Sequence, residues 1–133
     1  MLGHLGLNVA DLAAAKAYYD IVMPSLGYTE FFSADDEFAY MPADGKRGSF
    51  VFFYPAAEST PYSREAAGLQ HLAFIRPTRQ AVIDAFDVAI GLGSIGVHPP
   101  QEWPQYPPPY FAGFWLDPHG FMIEAVCHHD RDH

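Results

Sequence analysis

The sequence predicts an α+β domain that is built from two similar halves. Two short segments with alternating apolar residues begin at His4 and at His71. Each is followed by a segment with helical spacing of apolar residues, and then by runs that are typical of strands. Half of the 133 residues are hydrophobic and 17% are charged, which is the composition of a globular chain of one domain's size. One half alone would leave a sheet face uncovered, so the two halves are expected to pair.

The first half begins with a strand and a helix. In residues 4–9 the apolar side chains alternate with the others, which leaves His4 on the face opposite to them. Asp11 can cap the helix that follows, and Pro24 and Gly27 are expected to end it. Three further strands, separated by turn-like segments, are predicted at Glu30–Ser33, Phe38–Met41 and Ser49–Tyr54.

The second half repeats this order. In residues 71–75 the side chain of His71 lies opposite two apolar ones, and Thr78 occupies the position of a helix cap. Residues 80–90 have the apolar spacing of a helix. His98 stands near the start of a loop rich in proline and aromatic residues (101–110), which leads into the last strand pair.

The last strand pair carries one carboxylate in an apolar run. Its two strands flank Asp117-Pro118-His119-Gly120, in which Pro and Gly occupy favoured positions of a turn. Glu124 lies within the second strand, and an isolated buried charge is too costly to leave unpaired. Glu124 must therefore be paired, hydrogen-bonded or bound to a metal. We expect it to face His4 and His71, which both lie on the sheet face opposite the helices.

Composition excludes several classes of partner. Sixteen acidic residues against seven basic ones give a net charge of −9, which is the wrong sign for binding a nucleic acid. No apolar run reaches the ~18–20 residues of a membrane helix, so no membrane partner is predicted. The single cysteine, Cys127, cannot form an intrachain disulfide, and no secretory signal is apparent, which favours a cytoplasmic location.

Three ordered segments together resemble one known superfamily. They are His4-Leu-Gly-Leu-Asn-Val-Ala-Asp-Leu12, Gly68-Leu-Gln-His-Leu-Ala-Phe74 and Phe114-Trp-Leu-Asp-Pro-His-Gly-Phe-Met-Ile-Glu-Ala-Val126. The set is similar to the vicinal oxygen chelate superfamily, which includes glyoxalase I, bleomycin resistance proteins, fosfomycin resistance enzymes and extradiol dioxygenases. The resemblance implies a glyoxalase-like fold, in which two βαβββ modules pair into a curved, mostly antiparallel sheet with helices on the outside. It further implies a small-molecule substrate and a homodimer.

This resemblance also implies a domain organisation. Residues 1–133 would form a single glyoxalase-like domain, with module one at about 1–56 and module two at about 68–128. A connector would span 57–67, and a terminal tail would span 129–133. Whether the modules pair within one chain or between two chains is left open.

The superfamily's metal lies between two modules, and the resemblance implies His4, His71 and Glu124 as its ligands here. The metal would be one divalent ion, namely Fe²⁺, Mn²⁺, Zn²⁺ or Ni²⁺. The first-half counterpart of Glu124 is expected near Phe53, in a segment without a carboxylate. The fourth protein ligand of glyoxalase I-like members is thus missing, and two histidines with one carboxylate resemble the facial triad of extradiol dioxygenases. A dioxygenase-like reaction fits this set best, whereas a lyase or isomerase reaction stays open because water could replace a fourth ligand.

Several other residues are candidates for roles in a pocket. Trp103, Tyr106 and Tyr110 could line it, as could Phe53, although such aromatics could equally cover the sheet. His98 and Tyr110 are weak candidates for a general base. A surface position explains His98 more simply, and turn geometry explains His119.

Two further functions remain open. The first is a metal-free drug-binding protein similar to the bleomycin resistance group, which the aromatic loop and the acidic balance favour. The second is a thiol transferase of the fosfomycin type, which the small number of basic residues disfavours.

Overall fold

The structure, a computed structural model, describes residues 1–130 and divides into two compact units between Pro61 and Tyr62. Each unit contains one helix and four strands in the order βαβββ, so the predicted α+β class and its repeated module are confirmed. The division falls inside the predicted connector, 57–67. The predicted tail, 129–133, lies partly outside the described residues.

The first unit is a four-stranded sheet with one helix. Its strands are arranged in the order β1-β4-β3-β2, and β1 and β4 are parallel while the other pairs are antiparallel. Its elements are β1 (His4–Val9), α1 (Leu12–Ser25), β2 (Tyr28–Ala34), β3 (Glu37–Pro42) and β4 (Phe50–Pro55).

The ends of α1 follow from its capping residues. Asp11 accepts a hydrogen bond from the backbone N–H of Ala14 at 3.0 Å, as an N-cap residue does. The prediction that Pro24 ends the helix is wrong, because this proline lies inside the last turn. The chain leaves the helix at Leu26 and at Gly27, whose φ of 84° lies in the left-handed region that favours glycine.

The second unit repeats the same plan, with strand order β5-β8-β7-β6 and a parallel β5–β8 pair. The N-cap residue of its helix is Thr78, as predicted, because its hydroxyl accepts from the N–H of Ala81 at 2.9 Å. Its elements are β5 (Leu72–Ile75), α2 (Arg79–Gly91), β6 (Ile95–Glu102), β7 (Phe111–Leu116) and β8 (Met122–Cys127).

Strand β6 corrects one prediction. His98 lies within a strand that continues to Glu102, and not at the start of a loop. Prolines 99 and 100 fit there because β6 is an edge strand, and its pairing with β7 shifts register on both sides of His98. The irregular segment that follows is therefore limited to residues 103–110, which we call the aromatic loop.

Strand β8 is buried along its whole length, because both faces of the second sheet are covered there. On the helix side, Ile123 and Ala125 are fully buried. On the other side, which we call the helix-free face, Met122 and Val126 belong to a cluster of apolar residues. The other members of this cluster and the half-buried residues packed against it are Ala112, Phe114, Val97, Trp103, Tyr110 and Leu116. In residues 1–130, neither helix is long and apolar enough to cross a membrane.

Candidate functional site

Glu124 is the one carboxylate in the apolar strand β8. It pairs with Ala73 of β5 and with Phe114 of β7, and its relative exposure is only 1%. Since side chains alternate along a strand, Glu124 lies on the helix-free face between Met122 and Val126. A charged group in such surroundings needs partners for both of its oxygens.

The first partner of Glu124 is His71. The residue immediately precedes β5, and its Nε2 lies 3.0 Å from Oε1 of the carboxylate. The other ring nitrogen, Nδ1, contacts the side-chain amide oxygen of Gln70. The two ring nitrogens therefore make different contacts, and Nε2 is the nitrogen directed at the carboxylate. A lone pair on Nε2 would repel the carboxylate, so Nε2 carries a proton when no cation is bound, and the two groups could instead share a metal ion.

The second partner of Glu124 is Tyr110, which stands just before β7. Its hydroxyl donates to Oε2 of the carboxylate at 2.5 Å, so each oxygen of Glu124 has its own partner. Burial raises the pKa of Tyr110, and the hydrogen bond to Glu124 and the charge of that carboxylate raise it further. The hydroxyl is therefore protonated and acts as a donor at neutral pH.

The aromatic loop packs on the same face. The indole Nε1 of Trp103 donates to the backbone oxygen of Ala112 at 3.0 Å, and its ring lies 5.4 Å from that of Phe114. The ring of His98 lies 5.1 Å from Trp103 and 5.7 Å from Phe114, although the residue itself is exposed. Tyr106 is 45% exposed, and its ring lies 4.8 Å from that of Tyr110. The loop therefore places its aromatic rings beside Glu124.

In the first unit, the strand register corrects the position expected to match Glu124. Leu5 pairs with Val51 as Leu72 pairs with Ile123, so the residue that corresponds to Glu124 is Phe52. The sequence placed it one residue later, near Phe53. A shift of one residue moves a side chain to the other face of a strand.

Phe53 is therefore a core residue and not part of a pocket wall. It is 1% exposed, and it lies between rings of the helix and of β3, at 4.6 Å from Tyr19 and 4.9 Å from Phe38. Phe52 is half-buried on the opposite face, where its ring lies 5.3 Å from that of His4. The first unit thus has an aromatic ring where the second has a carboxylate.

The three predicted metal ligands are thus distributed over both units. His71 and Glu124 face each other in the second unit, and His4 stands at the equivalent position of the first. Within neither unit do the described residues bring together three His, Cys, Asp or Glu side chains that could hold a metal. An imidazole nitrogen and a carboxylate oxygen directed at one another suit iron, manganese, nickel or zinc, so this pair fits two positions of such a site.

Two contacts of this site are not predicted by the sequence. The contact of Gln70 with His71 was not predicted, and the only available signal was that the two residues are adjacent. Tyr110 was predicted as a pocket residue and a weak base candidate, whereas its hydroxyl is bound to Glu124.

Comparisons with known proteins give a consistent result for the fold. A family model described as the Glyoxalase/Bleomycin resistance protein/Dioxygenase superfamily matches residues 1–125. No curated protein is significantly similar to the chain. Three solved structures illustrate the likeness, and at these identities they establish the fold alone.

The first is a proposed glyoxalase from Bacillus halodurans, with 24% identity, a TM-score of 0.77, and coverage of 96% of this chain and 95% of that one. The second is a glyoxalase/dioxygenase from Nostoc punctiforme, with 22% identity, a TM-score of 0.73, and coverage of 96% and 90%. The third is a lactoylglutathione lyase from Agrobacterium tumefaciens, with 20% identity, a TM-score of 0.65, and coverage of 96% and 92%.

Proposed function

The chain belongs to the Glyoxalase/Bleomycin resistance protein/Dioxygenase superfamily, and on this basis we propose that it is a divalent-metal-dependent enzyme that acts on a small substrate with adjacent oxygens. The observation that carries the proposal is the buried carboxylate of Glu124, whose Oε1 is directed at Nε2 of His71. A carboxylate in an apolar strand is expensive to bury, and binding a cation is one of the few roles that justifies it.

We propose His71, Glu124 and His4 as the protein ligands. The first two already face each other, and His4 is assigned because it stands at the start of β1 as His71 stands before β5. We propose His4 as the third ligand whether the first unit belongs to the same chain as Glu124 or to a second copy of the protein. When bound, the metal would supply a Lewis acid and a template for two adjacent substrate oxygens.

The chain's own residues would hold and enclose this site. Gln70 would fix the tautomer of His71 by accepting from Nδ1, which would leave Nε2 as the ligand nitrogen. The rings of Trp103 and Phe114 form an apolar wall beside Glu124, which limits the access of water. A low-polarity wall strengthens the interaction of the carboxylate with a cation.

Phe52 favours a dioxygenase-like reaction over an isomerisation. It occupies the position that corresponds to Glu124, and its ring cannot bind a metal. Three protein ligands leave more coordination positions for substrate and a second reactant than four ligands do. A lyase or isomerase reaction is the alternative, in which water replaces the fourth ligand.

A metal-free binding protein is the second candidate. One observation favours it: both oxygens of Glu124 have protein partners, in His71 and Tyr110. The aromatic loop would then bind a flat or cationic ligand, in keeping with the net charge of −9. A homodimer and a cytoplasmic location are further proposals, which analytical ultracentrifugation and cell fractionation would test.

Elemental analysis of untagged protein tests the proposal. We expect about one metal ion per chain, as isolated or after incubation with Fe²⁺, Mn²⁺, Ni²⁺ or Zn²⁺. Glu124→Gln, His71→Gln and His4→Gln should each lose it, whereas the matched control His119→Gln, in the hairpin turn, should retain it. If the wild-type protein binds no metal under any of these conditions, the proposal of a metal-dependent enzyme is refuted and the metal-free binding protein is favoured. If His4→Gln retains the metal while Glu124→Gln and His71→Gln lose it, only the assignment of His4 as a ligand would be refuted.

A further inference from the structure

We propose that Tyr110 is a positioning residue that holds Glu124 as a ligand through one oxygen only. This inference rests on the proposed metal site. It concerns the hydroxyl of Tyr110, which donates to Oε2 while Oε1 is directed at His71. The role is distinct from the general base considered for Tyr110, because the hydroxyl acts on the carboxylate and not on a substrate.

The hydroxyl is fixed because its residue is held on several sides. The backbone oxygen of Tyr110 accepts from the N–H of Trp103 at 2.9 Å, which closes the aromatic loop. The ring of Tyr110 lies 4.8 Å from that of Tyr106 and 5.0 Å from that of His128. These contacts limit rotation of the ring, so the hydroxyl stays directed at Glu124.

The consequence concerns the way in which the carboxylate can coordinate a metal. With Oε2 engaged by a charge-assisted hydrogen bond, Glu124 offers only Oε1 on the side of His71. Removal of the hydroxyl would leave a buried oxygen without its donor. The carboxylate could then rotate, or it could bind through both oxygens. Partners of this kind commonly change metal affinity by about 10–100-fold when they are removed.

Tyr110→Phe removes the hydroxyl and keeps the ring, so the packing with Tyr106 and His128 should persist. The matched control is Tyr40→Phe. Tyr40 is also a tyrosine that donates to a carboxylate, at 2.7 Å to Oδ1 of Asp20 on the helix side of the first unit. Each variant loses one hydrogen bond of the same kind, and only the first touches the proposed ligand.

Two measurements test the inference. Competition with a chromophoric chelator gives the dissociation constant for Zn²⁺ and for Co²⁺, and the visible spectrum of the Co²⁺-loaded protein reports its coordination. Thermal unfolding of the metal-free proteins measures the general effect on stability. We expect Tyr110→Phe to bind both ions about 10–100-fold more weakly, with altered cobalt bands. Tyr40→Phe should match the wild type in metal affinity and in the cobalt bands.

The outcomes separate this inference from the proposed function. Wild-type metal binding with an unchanged affinity and spectrum in Tyr110→Phe would overturn the inference alone. An equal weakening in Tyr40→Phe would also overturn it, because the effect would then reflect general destabilisation. Failure of the wild type to bind either ion would overturn both proposals together.

Discussion

Substitutions at two neighbouring phenylalanines of β4 test the pairing register that makes Phe52 the counterpart of Glu124. Phe53 is 1% exposed and packs against Tyr19 and Phe38, whereas Phe52 is half-buried on the helix-free side of the first sheet. Truncation of a fully buried phenylalanine to alanine costs about 3–5 kcal/mol, because apolar contacts are lost and a cavity remains. Phe52→Ala removes only partly buried surface, which corresponds to about 1 kcal/mol.

The measurements are urea unfolding and thermal unfolding of the two variants and the wild type, both followed by circular dichroism. Phe53→Ala should lower the free energy of unfolding by about 3–5 kcal/mol, and its melting temperature should fall by roughly 10–20 °C. Phe52→Ala should shift the melting temperature by only about 3–5 °C. Equal losses in the two variants, or a larger loss for Phe52→Ala, would show that the register is wrong and that Phe53 is the counterpart of Glu124.

Two further predictions concern stability. Asp117 is 6% exposed, and its Oδ1 accepts from three consecutive backbone N–H groups of the hairpin turn. Asp117→Ala should therefore lower the free energy of unfolding by about 3 kcal/mol. A loss below ~1 kcal/mol in urea unfolding would contradict this prediction. Burial, together with the hydrogen bond to Asp20, raises the pKa of Tyr40, so above about pH 10 the unfolded chain loses a proton that the folded protein keeps. Stability should therefore fall as pH rises beyond 10, by up to ~1.4 kcal/mol per pH unit from this residue, and Tyr40→Phe should show a shallower fall between pH 9 and 11.

The order of the elements could be predicted because local signals agree with the final packing. Asp11 and Thr78 act as N-caps where the sequence indicates them, and the alternation of apolar residues correctly places His4 on the exposed side of β1. These are short-range features, which depend only on backbone geometry and on the period of two residues in a strand. The repeat is recognisable because these signals occur in the same order in both halves.

The errors occur where tertiary context decides. Pro99 and Pro100 read as loop residues, yet an edge strand with shifted register accommodates them. In residues 50–54 four residues are aromatic and the fifth is a valine, so both faces of β4 are apolar and the pattern does not say which face each side chain occupies. Only the pairing of β4 with β1 and β3 distinguishes Phe52 from Phe53.

The site was predictable in its chemistry and not in its full set of contacts. Glu124 had to have a partner because its strand is apolar, and its hydrogen bonding to His71 confirms that part of the reasoning. The bond from Tyr110 depends on the closure of the aromatic loop between Trp103 and Tyr110, and this closure has no signature in the sequence. The role of all these residues as ligands or supports of a metal stays a prediction.

The distance between His71 and Glu124 connects the two candidate functions. Nε2 and Oε1 are 3.0 Å apart, and two lone pairs at that distance repel each other, so Nε2 carries a proton when no cation is bound. In a metal enzyme His71 and Glu124 would both bind a divalent cation, and Nε2 would be unprotonated. In a metal-free binding protein Nε2 would keep its proton and donate it to Oε1. The same geometry thus suits both functions, and the decisive difference is whether a metal or a proton lies between the two side chains, which is why metal content has to be measured before any substrate is sought.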